Sequence, residues 1–160
     1  MTEALETIDF LTHSKVRVEA GAATIWPHVV DVSGWRPGQR LVHLSGDAGG
    51  LGGRFHVAAP EALDVPLYYV ENVELVAEQR RTIRLDGLDG SFIGFATWEL
   101  TPAGDGTVVA YDVYTRGALL PSGQSAQELL AGAQQVMDQG LVHLKEFVEG
   151  RDPNSRRGST

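Results

Sequence analysis

Apolar and polar residues alternate along much of the chain, a pattern typical of β-strands with one buried face. In residues 14–20, Val16 and Val18 fall on one side of such a strand, and Lys15 and Arg17 fall on the other. Similar alternation, or a run rich in branched and aromatic residues, predicts further strands at residues 41–45, 54–59, 67–79, 80–88, 91–102 and 107–115. Glycine-rich turns separate several of these strands, so we expect them to pair as antiparallel neighbours.

Two segments have helical spacing instead. A short helix after the first strand is predicted by Ile25, Trp26, Val29 and Val30. Near the C-terminus, apolar residues recur every three or four positions and predict a helix of roughly six turns. Ser125 and Glu128 fit a capping box at the start of this helix, and Gly150 fits a stop signal at its end.

This order of elements predicts one α+β domain over residues 1–150 and a polar, disordered tail at residues 151–160. The long helix must bury its apolar stripe, and the concave face of the sheet is the surface available to it. We therefore expect a helix-grip fold, in which a curved antiparallel sheet of six or seven strands wraps around the C-terminal helix, with short helices after the first strand. The space between sheet and helix is the expected functional site.

Charge and composition exclude several classes of function. With 21 acidic and 13 basic residues, the chain has a net charge of −8, which argues against binding to nucleic acid or anionic lipid. It has no cysteine and therefore no disulfide, thiolate nucleophile or iron–sulfur site. Its five histidines lack metal-ligand spacing, so we expect neither metal nor cofactor. No signal peptide or membrane-length apolar run is evident, which predicts a cytoplasmic protein without membrane insertion.

Two segments resemble the superfamily of polyketide cyclases, dehydrases, lipid-transfer domains and birch-pollen-allergen-like proteins, also called START-like or SRPBCC proteins. Residues 16–35 form a strand and a helix whose matching positions are Ala20, Trp26, Asp31 and Trp35. Residues 95–114 contain Leu-Thr-Pro, a Gly-Asp-Gly turn and a strand that begins with Thr. Together with the long helix, the resemblance covers residues 14–149. It implies the helix-grip fold and an internal cavity for a small hydrophobic molecule.

The resemblance also implies two alternative functions for that cavity. The first is cofactor-free acid/base cyclisation, dehydration or lyase chemistry on an aromatic or polyketide-like substrate. The second is non-catalytic carriage or sensing of a hydrophobic ligand. Because one fold supports many activities, the residues in the cavity must decide between them. Outward-facing Val108, Ala110 and Tyr114 suggest a homodimer surface.

The catalytic candidates depend on which face of each strand points inward. We take Tyr69, Glu71 and Val73 of the long strand as facing the cavity. A carboxylate in an apolar pocket has a raised pKa, so Glu71 could act as a general acid or base. The alternative is a surface carboxylate that pairs with Arg54 or Arg84.

His56 is a further candidate, because the ordinary pKa of histidine suits proton transfer. If Phe55 and Val57 instead face inward, His56 points outward. Tyr69 and Tyr111 could each donate a hydrogen bond to a ligand carbonyl or a developing enolate.

The resemblance places Val109, Tyr111 and Val113 of the last strand inward. A slip of one residue would reverse every such assignment. The predicted ligand-contacting residues, for which plain core packing is the alternative, are Trp98, Val73, Val109, Val113, Met137, Trp35 and Phe55.

Overall fold

The computed structural model of the protein describes residues 6–36 and 38–150. The predicted tail at residues 151–160 lies outside the described residues. In chain order the elements are β1 (Thr7–Val18), α1 (Ala22–Val30), a 3-10 turn (Val32–Gly34), β2 (Arg40–Ser45), β3 (Arg54–Ala58), β4 (Tyr68–Val76), β5 (Arg80–Gly87), a second 3-10 turn (Leu88–Gly90), β6 (Ile93–Ala103), β7 (Gly106–Leu119) and α2 (Ala126–Val148).

The seven strands form one antiparallel sheet in the order β1-β7-β6-β5-β4-β3-β2. Every strand after β2 pairs with its neighbour in sequence, and β1 closes the order by pairing with β7. The curved sheet carries the long helix α2, with Leu141 and Leu144 buried in the core against Trp98 and Val109. The predicted helix-grip fold is confirmed.

The first strand begins at Thr7, seven residues before the predicted start, and ends at Val18. The usual polarity is reversed in its middle. Thr12 and Ser14 are buried, whereas Leu11 is 60% exposed. Thr12 Oγ1 donates a hydrogen bond to the carbonyl of Val113 at 3.5 Å, which satisfies the buried hydroxyl. Apolar periodicity could not detect a strand whose inward positions are hydroxyl residues.

Helix α2 begins and ends at the predicted residues. The Ser125 hydroxyl accepts a hydrogen bond from the Glu128 backbone, and the Glu128 carboxylate accepts one from the Ser125 backbone. This confirms the capping box. Gly150 follows the helix with a φ of 65°, the left-handed conformation in which glycine commonly ends a helix.

Polar side chains of α2 bind the backbone of β1 along the edge that faces away from β7. The Gln134 amide both accepts from the His13 N–H (3.2 Å) and donates to the His13 carbonyl (2.7 Å). Lys145 donates to the carbonyl of Arg17 at 2.6 Å. The Glu149 carboxylate accepts a hydrogen bond from the backbone N–H of Glu19 at 2.7 Å. The helix is therefore attached to the strand edge as well as to the core.

Candidate functional site

An internal cavity of about 70 Å³ lies between the sheet and α2. Six of the seven strands, β2 to β7, contribute side chains to its wall, and Met137 covers it from the helix. Its apolar wall is formed by Val32, Leu41, Val57, Val70, Ile83, Leu85, Trp98, Val113 and Met137. Its polar groups are Arg36, Gln39, Tyr68, Arg81 and Tyr111.

A larger groove of about 340 Å³ adjoins the cavity on the side of α2. The two spaces share Arg36 and Gln39 and are therefore neighbours, and we take the groove as the mouth of the cavity. The helix contributes the rest of its lining: Gln135, Val136, Gln139, Gly140 and His143. A Cβ atom added at Gly140 would meet no other atom within 4 Å, so this glycine widens the groove.

An aromatic stack forms the floor of the cavity. The rings of Trp98 and Tyr111 lie 3.9 Å apart and nearly parallel, and Trp35 meets Trp98 edge-on at 6.1 Å. The indole N–H of Trp35 donates to the carbonyl of His28 at 2.8 Å. All three rings are buried, so this stack is a rigid part of the wall.

Hydroxyl and guanidinium donors meet at the junction of cavity and groove. Burial opposes the charge of Arg36, but its interactions with the Tyr111 and Tyr68 hydroxyls outweigh this effect and raise the pKa of Arg36. Burial also raises the pKa of Tyr68, against the opposing influence of Arg36, and Gln39 hydrogen-bonds to the phenol. At neutral pH the junction therefore holds a cationic guanidinium and the protonated phenol of Tyr68, both of which are hydrogen-bond donors.

Arg81 is 1% exposed and lies in the cavity wall. Its Nε and Nη2 atoms donate to Oδ1 of Asn72 at 3.0 and 2.7 Å, and Nη1 donates to the carbonyl of Val29 at 2.5 Å. Desolvation lowers the pKa of Arg81 to about 10, against favourable interactions with Tyr111 and Asp31, so the side chain remains charged at neutral pH. The Val29 carbonyl belongs to the last turn of α1, where a cation is favourable.

Asn72 links Arg81 to the glycine-rich turn before β3. Its side-chain N–H donates to the carbonyl of Gly50 at 3.1 Å, and its backbone N–H donates to the carbonyl of Gly53 at 2.9 Å. One buried polar network therefore joins α1, β4, β5 and this turn.

Three of the predicted ligand-contacting residues line the cavity: Trp98, Val113 and Met137. The catalytic candidate Tyr111 lines it as well. Val109 and Trp35 are buried in the core cluster next to them. Phe55 packs in a second cluster with Val57 and Val70, and it lines a separate surface depression between β2 and the glycine-rich turn.

The prediction that Tyr69, Glu71 and Val73 face the cavity is wrong. The inward residues of β4 are Tyr68, Val70 and Asn72, so the assignment slipped by one residue. A register shift follows between Asn72 and Glu74, and Val73 is 40% exposed. The β4 segment has branched or aromatic residues on both faces, so apolar content alone did not fix its phase.

Glu71 lies on the outer face, where it is half-exposed. Its Oε1 atom lies 3.5 Å from Nε of Arg54, the residue directly opposite on β3, and Arg84 is its opposite neighbour on β5. Glu71 is therefore a surface carboxylate that pairs with Arg54, which is the alternative to a position in the cavity. An acid/base role for Glu71 in the cavity is not available from this position.

His56 also points away from the cavity, although only 8% of it is exposed. The loop after β3 covers it, and its Nε2 atom lies 2.7 Å from the carbonyl of Leu63. Because a carbonyl only accepts, Nε2 must carry the proton in this bond. Tyr69 contacts the ring edge-on at 6.5 Å on the same outer face. His56 therefore holds the loop after β3 in place.

The sequence interpretation missed Arg36, Gln39, Tyr68, Asn72 and Arg81. For Arg81 a signal existed, because it shares a strand face with Ile83 and Leu85. An arginine at an apolar position of an alternating strand indicates a buried cation. Arg36 and Gln39 follow a 3-10 turn and precede β2, where no periodicity applies.

The described part of the chain holds neither a metal-ligand cluster nor a membrane-spanning helix. Among residues 6–36 and 38–150, no three His, Asp or Glu side chains come together as ligands for a metal ion. No helix in those ranges is long and apolar enough to span a membrane.

Comparison with known proteins places this geometry in context. A family model described as "Polyketide cyclase / dehydrase and lipid transport" matches residues 10–149. No curated protein is significantly similar in sequence.

Three similar solved structures share the fold at under 25% identity. Ara h 8.0201 superposes with a TM-score of 0.66 at 12% identity, over 88% of this chain and 98% of its own. A point mutant of norcoclaurine synthase from Thalictrum flavum, in complex with a transition-state analogue, gives 0.61 at 19% identity, over 92% and 99%. CalU16 from Micromonospora echinospora gives 0.61 at 18% identity, over 97% and 90%.

Proposed function

Because the chain belongs to the polyketide cyclase/dehydrase and lipid transport family, we propose that it binds a small aromatic or polyketide-like molecule in the cavity and its mouth. The observation that carries this proposal is that the two spaces adjoin. An apolar cavity floored by Trp98 and Tyr111 shares Arg36 and Gln39 with a groove on α2. Such a concave, mainly apolar site with a few polar groups is typical of ligand pockets.

Glycine substitutions in α2 test this proposal. Gly140 lines the groove and Gly132 does not, yet an added Cβ atom finds open space at both positions. Gly140→Phe would place a ring in the mouth, so we expect it to weaken binding of 2-naphthalenemethanol at least tenfold. Gly132→Phe is the matched control and should leave the affinity unchanged. Calorimetric titration of the wild type and both variants measures the effect.

Either of two results would contradict the proposal. The first is wild-type protein that binds neither 2-naphthalenemethanol nor the acid with the same rings, 2-naphthoate. The second is equal weakening by Gly132→Phe and Gly140→Phe, which would show that the probe binds elsewhere or that helix distortion is responsible.

A second candidate function, cofactor-free cyclisation with dehydration, is favoured by the donors at the cavity junction. In such a reaction a proton leaves a carbon next to a carbonyl, the resulting enolate forms a bond to a second carbonyl carbon, and water is then lost. Tyr111 and Arg36 would stabilise the enolate oxygen. The described lining holds no carboxylate, and the imidazole of His143 in the groove is a base that could accept the proton.

Tyr111→Phe separates this chemistry from simple binding. It removes one oxyanion donor and keeps the ring stacked on Trp98. If the chain is a cyclase, we expect kcat to fall about 100-fold, the usual effect of losing such a donor, with little change in KM. Cyclisation of a linear polyketone, followed by absorbance of the aromatic product, is the measurement. An unchanged kcat, or wild-type protein without turnover, would leave carriage or sensing as the function.

The remaining expectations form part of the same proposal. We propose that the protein acts in the cytoplasm as a single domain, without cofactor, metal or nucleic-acid partner. Val108, Ala110 and Tyr114 do face outward on β7, and a homodimer through this face remains a prediction.

A further inference from the structure

The cavity is cationic, although the protein as a whole is acidic. The chain has a net charge of −8, yet two guanidinium groups, those of Arg36 and Arg81, line the cavity. None of the described residues lining the cavity or the groove is an aspartate or glutamate. The charge of the pocket is therefore opposite in sign to the net charge of the chain.

Neither guanidinium forms a salt bridge within the described residues. The hydrogen-bond acceptors of Arg81 are neutral: the amide oxygen of Asn72 and the carbonyl of Val29. These bonds use three of its five N–H groups. Asp31 adds a favourable interaction with Arg81, but its carboxylate caps the 3-10 turn by accepting from the Ser33 backbone at 2.9 Å. A buried cation ordinarily requires a paired anion, so this one lacks its usual partner.

Tyr111 connects the two cations. All three side chains line the same cavity of about 70 Å³; the Tyr111 hydroxyl hydrogen-bonds to Arg36, and its interaction with Arg81 favours the charge of that group and raises its pKa. Tyr68 adds a second phenol beside Arg36. Charged and neutral donors thus converge on the junction, and an oxyanion there would receive hydrogen bonds from several of them.

The sizes of the two spaces fit the parts of an organic acid. A water molecule occupies about 30 Å³ in the liquid. The cavity of about 70 Å³ therefore has room for a carboxylate group, whereas the groove of about 340 Å³ has room for a larger apolar body. Arg36 lines both spaces and so lies where the two parts of the ligand would join.

We propose that the ligand is an amphipathic carboxylic acid, whose carboxylate enters the cavity between Arg36 and Arg81 and whose apolar body lies in the groove on α2. This inference rests on the proposed function and specifies the class of molecule. The ligand supplies the anion that the pocket lacks.

A pair of probes with one ring system tests the inference. At pH 7, 2-naphthoate carries a carboxylate, and 2-naphthalenemethanol carries a neutral hydroxyl on the same rings. We expect wild-type protein to bind the acid at least tenfold more tightly than the alcohol, because the carboxylate adds a charge–charge attraction to the guanidinium groups that a neutral hydroxyl lacks. Calorimetric titration of both probes gives the ratio directly.

Three variants test whether Arg36 is responsible for the tighter binding of the acid. Arg36→Gln should reduce the ratio of affinities to below about threefold, whereas Arg36→Lys should keep most of it. Arg116→Gln removes the same charge from the exposed part of β7 and should leave the ratio unchanged. Circular dichroism of each variant reports whether its fold is retained.

Each result separates this inference from the proposed function. Equal affinity for acid and alcohol in the wild type would overturn the inference and leave the hydrophobic pocket intact. Binding of neither probe would overturn both. A preference for the acid that survives in folded Arg36→Gln, or falls equally in Arg116→Gln, would place the anion elsewhere and overturn the assigned site.

Discussion

Asn72→Leu is expected to destabilise the protein by about 3 kcal/mol, because it leaves two N–H groups of a buried cation without their acceptor. Leucine has the same branched arrangement of side-chain heavy atoms as asparagine but offers no acceptor. Arg81 would then keep its charge at 1% exposure, with the Val29 carbonyl as its remaining acceptor among the described residues. The Gly50 carbonyl would lose its side-chain donor at the same time. Urea unfolding followed by circular dichroism measures the loss.

A double-mutant cycle distinguishes this mechanism from a general packing defect. Arg81→Met removes the charge, so Asn72→Leu should cost much less in its presence than in the wild type. Arg80→Met, at the exposed neighbouring position, is the matched control and should change stability by less than about 0.5 kcal/mol. Strict additivity of the Asn72 and Arg81 substitutions would contradict the proposed coupling.

Trp98→Ala is expected to lower the free energy of unfolding by about 3–5 kcal/mol, through loss of packing and not through loss of hydrogen bonds. Trp98 is 2% exposed and contacts both Tyr111 and Trp35 in the aromatic stack. Removal of its indole leaves a void that the surrounding strands cannot fill, because Tyr111 and Trp35 are anchored on separate elements. The void adjoins the cavity, so the variant should also accept larger apolar ligands than the wild type does.

A second tryptophan provides the control for this substitution. Trp26 is partly buried and packs against the same core from α1. Trp26→Ala should cost less and should leave the size limit for ligands unchanged. Equal losses of stability in the two variants, or no gain in the ligand size accepted by Trp98→Ala, would contradict the assignment of Trp98 to the cavity wall.

The overall architecture could be predicted from the sequence because it depends on repeated signals. The turn between Leu-Thr-Pro at residues 100–102 and Thr107 predicts a hairpin from local sequence alone. The capping box does the same for the start of α2. Antiparallel pairing then follows from short connections. The missed residues 7–13 of β1 show where this reasoning fails, because Thr12 takes an inward position that an apolar residue usually occupies.

The candidate site was less predictable because it depends on side-chain direction. The predicted inward face of β4 was wrong by one residue. Tyr69 and Glu71 were expected to point inward, whereas Tyr68 and Asn72 do so. In consequence the cavity contains donors where an acid/base carboxylate was expected. Arg36 reaches the junction from a segment without periodicity, so only the three-dimensional fold brings it to Tyr111.

The hydrogen bonds from α2 to β1 have a consequence for the behaviour of the protein at high concentration. An edge strand with free backbone groups can recruit a strand from another molecule and begin a fibril. The Gln134 side-chain amide hydrogen-bonds to the backbone N–H and carbonyl of His13, as a neighbouring strand would. Lys145 and Glu149 hydrogen-bond to the backbone of Arg17 and Glu19 farther along the same edge. The helix that covers the cavity thereby also limits self-association of the sheet through β1.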